Sequence, residues 1–202
     1  RGWRGRRPSV MSPAHVFGAG DRLDWARDGR AWPMRASSRF VLAGGLRWHV
    51  QRVGSGPPIL LVHGTGSSTH SWRALVERLA SAFELVAFDL PGHGFSDPAP
   101  PGGETLSGVG GLVAALLAEL ELAPRLVVGH SAGAAILCRM ALDGGIAPER
   151  IFGLNAALRP YRGRVGRIFS GLARGLAGSE WPARLAAHRA RTSDWIERTL
   201  VA

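Results

Sequence analysis

From residue 38 the chain alternates short, wholly apolar runs with longer stretches whose apolar residues recur at helical spacing. Residues 40–43 and 46–53 flank Gly44 and Gly45 and predict an antiparallel hairpin. Pro57 and Pro58 then break the chain before residues 59–62, which read Ile-Leu-Leu-Val. A strand without a polar position is one buried on both faces, as in a parallel sheet. Residues 85–88, 126–128 and 151–154 repeat that pattern, each expected as a buried strand. Three helical stretches lie between them. Residues 72–80 place Trp72, Leu75, Val76 and Leu79 on one face, with Thr69 or Ser71 as the expected cap. Residues 105–122 repeat apolar side chains at Leu106, Val109, Val113, Leu116, Leu117 and Leu120. Residues 132–143 form an apolar helix that Gly144 and Gly145 end. This alternation predicts the α/β class, with a doubly wound, mostly parallel sheet preceded by the antiparallel hairpin.

The pattern divides the chain in three. Residues 1–37 are rich in Arg, Gly and Pro, have no sustained period, and read as a basic N-terminal arm. Residues 38–155 read as the core. Residues 156–202 read as a helical, amphipathic, Arg-rich segment placed like a cap or lid. Arg1 is not a start residue, and Met11 is a candidate one. No run approaches the roughly 18 apolar residues of a membrane span. Residues 1–20 lack the continuous apolar segment of a secretory signal.

Composition removes several function classes. The 202 residues are 46% hydrophobic and include seven Trp, which excludes wholesale disorder. The single Cys, Cys138, excludes an internal disulfide framework and a multi-Cys zinc site, and it fits a reducing, cytoplasmic compartment. Cys138 lies seven residues after Ser131 on an apolar helix and reads as core rather than as a second nucleophile. All 25 basic residues are Arg. Without Lys, a Walker A phosphate loop and a Lys Schiff base are both impossible. The net charge of +10 is uneven: +8 over residues 1–58, −4 over 59–150 and +6 over 151–202. Basic flanks around an acidic centre, with no recognisable nucleic-acid module, point to solvated ends or an anionic partner, not to nucleic acid. Peripheral contact with an anionic membrane surface is the most the basic segments allow.

Three motifs carry chemistry. The first is Gly129-His130-Ser131-Ala132-Gly133, a G-x-S-x-G between an expected buried strand and an expected helix. A nucleophile at so sharp a turn needs Gly neighbours to leave room, and the helix N-terminus behind it turns N–H groups toward the hydroxyl. The second is His63-Gly64-Thr65-Gly66, at the end of the first parallel strand. Acyl transfer builds negative charge on an oxygen and needs two converging N–H donors. Ala132 is the expected source of one, and Thr65 or Gly66 of the other. His63 itself is expected to be a packed loop residue, with Gly64 and the surrounding backbone supporting the loop. The third motif runs from Asp89 to Asp97 through Gly92, His93 and Gly94. It reads as a tight structural loop, with neither Asp89 nor His93 in a catalytic role. No metal site and no cofactor site is expected.

Together, in this order and spacing, the three motifs resemble the α/β-hydrolase superfamily over residues 38–155. That resemblance implies a nucleophile–acid–histidine chain order, with acid and histidine after later strands. Four stretches look like the magnesium chelatase accessory proteins of bacteriochlorophyll biosynthesis. They begin at Trp25 (WARDGRAWP), Gly45 (GLRWHVQ), His63 (HGTGSSTHSWR) and Gly129 (GHSAGAAIL). The likeness implies a role at or near magnesium insertion into a porphyrin, with a porphyrin-like or other small ligand and chelatase subunits as partners.

The chain departs from the family pattern at its end. The resemblance implies about eight strands, and six are expected here. The only His after Ser131 is His188, which reads as a residue of the cap surface. The position for an acid reads Leu154-Asn155-Ala156, with no Asp or Glu between Glu149 and Glu180. The expectation is an N-terminal part of a longer protein, inactive by itself because a Ser without a base is a weak nucleophile. Arg159, Arg162, Arg164, Arg167 and Arg174 fall in the lid-like segment. They are suited to pair with the propionates of a porphyrin or to face solvent or an anionic membrane surface.

Overall fold

The computed structural model describes residues 23–158. Most of the expected arm and nearly all of the expected cap, including His188 and the five Arg of the lid-like segment, lie outside the described residues.

Gly44 and Gly45 both take positive φ, 57° and 78°, which lets a two-residue turn fold β1 (Ser38–Ala43) onto β2 (Leu46–Val53). Four further strands follow: β3 (Pro58–Val62), β4 (Glu84–Phe88), β5 (Leu126–His130) and β6 (Arg150–Leu154). They form one sheet in the order β1-β2-β4-β3-β5-β6. β2 is antiparallel to β1 and β4, and every later pairing is parallel. The expected mixed, mostly parallel sheet with a leading hairpin is therefore present.

Helices α2 (Arg73–Leu79), α3 (Leu106–Glu119) and α4 (Ala132–Leu142) connect the parallel strands. Thr105 caps α3 by accepting the Gly108 N–H at 3.0 Å. The expected cap of α2 is not made. A 3-10 turn, Thr69–Trp72, precedes that helix, and Trp72, at its N-cap, makes no side-chain capping bond. Ser71 instead donates to Ser68 O at 2.8 Å, and Thr69 is committed to other partners described below.

Alternate residues of the strands fill two cores. Trp48, Leu60, Val62, Val86, Phe88 and Val127 face α3 and α4, with Val113, Leu116, Leu137 and Met140 opposite them. Ile59, Leu61, Leu85 and Ala87 face Trp72 and Val76. Burial of each large side chain stabilises the fold by about 1.5–3 kcal/mol. The expectation of a buried strand at residues 151–154 is corrected. β6 has a neighbour only on its β5 side among the described residues, and Phe152 and Leu154 remain 49% and 46% exposed. An apolar run reports the strand but not its place in the sheet order.

Residues 24–37, grouped with the arm on composition, fold against the sheet. Asp24 Oδ1 accepts the Arg27 N–H at 2.7 Å and caps α1 (Trp25–Asp28). The Trp25 ring meets Phe40 and Phe95 edge-on, with centroids 5.5 and 4.8 Å away, and the Arg35 guanidinium lies 4.5 Å over it.

Register places the chemistry. Val62 pairs with Phe88 and with Gly129, and His130 pairs with Leu154. The segments beginning at His63, Asp89, Ser131 and Asn155 thus leave the sheet side by side at its carboxyl edge.

Candidate active site at the carboxyl edge

Ser131 stands at the turn from β5 into α4 with φ 50° and ψ −115°, a conformation that side chains rarely adopt. Its neighbours must be small. A Cβ at residue 133 would sit 2.2 Å from Val62 O, and one at residue 129 would sit 2.4 Å from Ala134 N. The start of α4 therefore presses directly on the end of β3. The chain after β6 holds Ser131 from the other side. Ser131 N–H donates to Leu154 O at 2.9 Å, and Ser131 O accepts from Ala157 N at 3.2 Å as well as from Ala134 N at 3.2 Å. Ser131 is only half-buried.

The loop after β3 lies against this turn. A Cβ at residue 64 would be 3.0 Å from both Ser131 Cβ and His130 Nδ1. Ser67 N–H donates to Gly64 O at 3.2 Å, while Thr65 and Gly66 are exposed. Gly66 takes φ 76° with nothing within 4 Å of its Cβ position. The structure thus brings Gly64 to the Gly129–Gly133 turn and leaves Thr65 and Gly66 on the same short loop.

His63 fixes that loop. Its ring is wholly buried, and its Nε2 accepts the Leu90 N–H at 2.9 Å. An N–H can only donate, so the proton sits on Nδ1, which donates to Gly64 O at 2.8 Å. Burial pushes the imidazole down to about 4, and the nearby Asp89 opposes that only in part. A neutral ring with both nitrogens engaged is a staple between two loops, as expected of a packed residue. It also orients the Gly64–Thr65 peptide. With that carbonyl turned to His63 and Ser67, a trans peptide directs the Thr65 N–H the opposite way.

Asp89 is the hub of the next loop. It is fully buried. Oδ1 accepts the Thr69 N–H at 2.7 Å, and Oδ2 accepts the Phe95 N–H at 3.0 Å and His49 Nδ1 at 2.8 Å. Burial alone would raise its pKa, but the His49 hydrogen bond and attraction, with the Phe95 N–H, hold it below the ordinary value. His49 Nε2 lies 3.0 Å from Ser38 Oγ, which also accepts from Gln51 Nε2 at 3.1 Å. Gln51 Nε2 donates to Pro33 O at 2.6 Å as well. Next to Pro33, Trp32 Nε1 donates to Thr69 Oγ1 at 3.1 Å. These bonds close a circuit from the N-terminal segment through both loops and back. His93 stays at the rim, with Nδ1 donating to Pro91 O at 3.0 Å and its ring 5.3 Å from His63. His70 Nδ1 lies 2.5 Å from Ser68 Oγ, and burial lowers its pKa against the pull of Asp89.

Cys138 is half-buried along α4, away from the turn. Asn155 follows β6 with φ 48°. Among the described residues, no group of three or more His, Cys, Asp or Glu could hold a metal ion. No helix among them is long and apolar enough to cross a membrane. The sequence reading did not single out His49, Gln51, Trp25 or Trp32. Trp48-His49-Val50-Gln51 alternates apolar and polar residues, the pattern of a strand with one face in solvent, so the burial of His49 and Gln51 had no local signal.

Residues 57–200 match the family model described as alpha/beta hydrolase fold. The magnesium-chelatase 30 kDa subunit of Rhodobacter capsulatus is 35% identical over 174 residues, which is 83% of this chain and 61% of that relative. This chain thus spans about three-fifths of that protein's length. A crystal structure of an alpha/beta hydrolase fold protein from Burkholderia ambifaria superposes with a TM-score of 0.60 at 30% identity, covering 78% of this chain and 57% of that one. An epoxide hydrolase from Vigna radiata gives a TM-score of 0.55 at 28% identity, over 63% and 41% of the two chains.

Proposed function

The chain belongs to the alpha/beta hydrolase fold family, and from that premise we propose a protein of bacteriochlorophyll biosynthesis, acting at or near magnesium chelation, with Ser131 as its nucleophile. The observation that carries the nucleophile is the Ser131 backbone, held at φ 50° and ψ −115° with the Gly64 loop against it. Such a conformation costs of order 1–3 kcal/mol in a residue with a side chain, and strain of this kind gathers at functional sites.

In the proposed reaction Ser131 Oγ attacks the carbonyl carbon of an ester. A C–O bond forms and the carbonyl π pair moves onto its oxygen. The Ala132 N–H and the N–H of Thr65 or Gly66 receive that charge. The adduct collapses by expelling the alcohol oxygen, which takes up the proton given by Ser131. His63 is not the base for that transfer, since both of its nitrogens are already engaged. The pathway assignment draws on the similarity to the Rhodobacter capsulatus subunit over 83% of this chain. It makes a porphyrin-like molecule the ligand class and chelatase subunits the partners.

A fluorophosphonate probe on the full-length protein tests the nucleophile. Labelling is expected at residue 131 and is expected to vanish in Ser131→Ala. An unlabelled native protein defeats the catalytic reading. A second reading, a pocket that binds without turnover, is favoured by the name of the Rhodobacter capsulatus relative, which describes a subunit and not a hydrolase. Under it, magnesium protoporphyrin shifts its absorbance on binding while the probe finds no reactive serine.

A further inference from the structure

Residues 24–37 form a strap along the carboxyl edge, and we infer that the strap is a positioning element of the candidate site, acting through Trp32 and Thr69 on the amides of Thr65 and Gly66. This rests on the reading of those amides as oxyanion donors.

The geometry of the loop gives the reason. Its first end is pinned twice. Gly64 abuts Ser131, and His63 ties Gly64 O to the Leu90 N–H. Its far end is pinned at Thr69, by the N–H on Asp89 at 2.7 Å and by the hydroxyl under the Trp32 indole N–H at 3.1 Å. Between the ends, Thr65 and Gly66 are exposed, and nothing packs within 4 Å of the Gly66 Cβ position. The one bridging bond is Ser67 N–H to Gly64 O. Two amides without support of their own take their places from the ends of the loop. A preorganised donor is worth most when it needs no reorganisation as charge develops.

The strap is built to hold that far end. Trp32 packs edge-on against His70 and Phe95, with centroids 5.6 and 4.9 Å away. Pro33 O accepts from Gln51 on β2, and Trp25 packs on His49, the partner of Asp89. Of the two side chains that hold Thr69, Trp32 thus belongs to the strap, and Asp89 is bonded to His49, on which the strap packs. Trp32 and Thr69 are positioning residues here, not catalytic ones.

The test uses two reactions of one thiol in the full-length Ser131→Cys protein. Acyl transfer from p-nitrophenyl acetate forms a C–S bond, passes through an oxyanion and releases p-nitrophenolate. Alkylation by iodoacetamide forms a C–S bond with loss of iodide and develops no oxyanion. Both are read at residue 131 by peptide mass, which separates them from any reaction at Cys138. Deleting an oxyanion donor outright costs about 10²–10³ in rate, and a displaced donor costs less. Adding Trp32→Phe or Thr69→Val is therefore expected to lower the ratio of acylation to alkylation about tenfold. Thr69→Ser keeps the acceptor and is expected to keep the ratio. An unchanged ratio in Trp32→Phe and Thr69→Val overturns the inference. So does a parallel fall of both rates, which marks a general loss of structure. A native protein that the fluorophosphonate leaves unlabelled counts against the nucleophile alone, because the thiol ratio still reports whether the strap sets the loop.

Discussion

At the β1–β2–β4 flank, polar groups that face inward are buried and most are bonded, with Asp89 taking three donors and His49 meeting a partner at each ring nitrogen, while Gln51 Oε1 is left without one. At the β5–β6 flank the inward strand is followed by a half-buried Ser131, and the outer strand leaves Phe152 and Leu154 about half in solvent. The two flanks share one sheet and one register but differ in where polarity is spent. The first uses it to lock loops, since an unmet polar group there would cost the full desolvation penalty. The second leaves Ser131 half-buried at a strained turn. The candidate site lies on the seam, with the Thr65–Gly66 amides on the loop that the locked flank holds and Ser131 with the Ala132 amide at the turn after β5.

The sharpest way to break this contrast is at Asp89. In Asp89→Ala, the Thr69 and Phe95 N–H groups and His49 Nδ1 all lose their acceptor in a dry interior. Leaving a buried donor without its acceptor costs about 1–3 kcal/mol, so the three together cost upwards of about 3 kcal/mol. Urea denaturation should show a loss of that size. A loss under about 1 kcal/mol, the scale of an exposed pair, would mean that the locked flank is not locked.

Acid offers a slightly smaller effect at the same place. The folded-state value of His63 is about 4, against 6.5 for the free group. The unfolded chain therefore binds the extra proton first as pH falls. The stability that His63 contributes is complete above about 6.5 and is lost between there and about 4, a change of about 3 kcal/mol. Asp89, held below its ordinary value, adds a further loss at lower pH, as its carboxylate protonates. Denaturation midpoints at pH 7 and pH 4.5 should differ accordingly. A flat profile across that interval would show that His63 is not buried neutral.

Much of this contrast could be read from the residues, though unequally. The runs at 59–62, 85–88 and 126–128 announced strands because two-sided burial leaves no polar position. Gly129-His130-Ser131-Ala132-Gly133 announced its turn because only glycine tolerates the approach of Ala134 N and Val62 O. The run at 151–154 announced its strand as well, and among the described residues that strand has a neighbour on one side only. The stretch from Trp25 stood out by resemblance, but its packing as a strap was illegible. Trp25 and Trp32 sit in an irregular segment with no period, and their partners His49, Phe95 and Thr69 are distant in sequence. Side chains brought together only by the completed sheet leave no local pattern behind.

The smallest effect sharpens the comparison most, because one residue type occurs on both sides. Phe88 at the end of β4 is wholly buried, and truncation of such a side chain to Ala costs about 3–5 kcal/mol. Phe152 on β6 is 49% exposed, so Phe152→Ala gives up only about half the transfer free energy of a buried ring, about 1 kcal/mol. No packed cavity forms around it, so the cavity contribution that enlarges core truncations is absent. Denaturation of the two variants side by side should separate them by at least twofold. If Phe152→Ala matched the cost of a buried ring, something would have to cover β6 in solution.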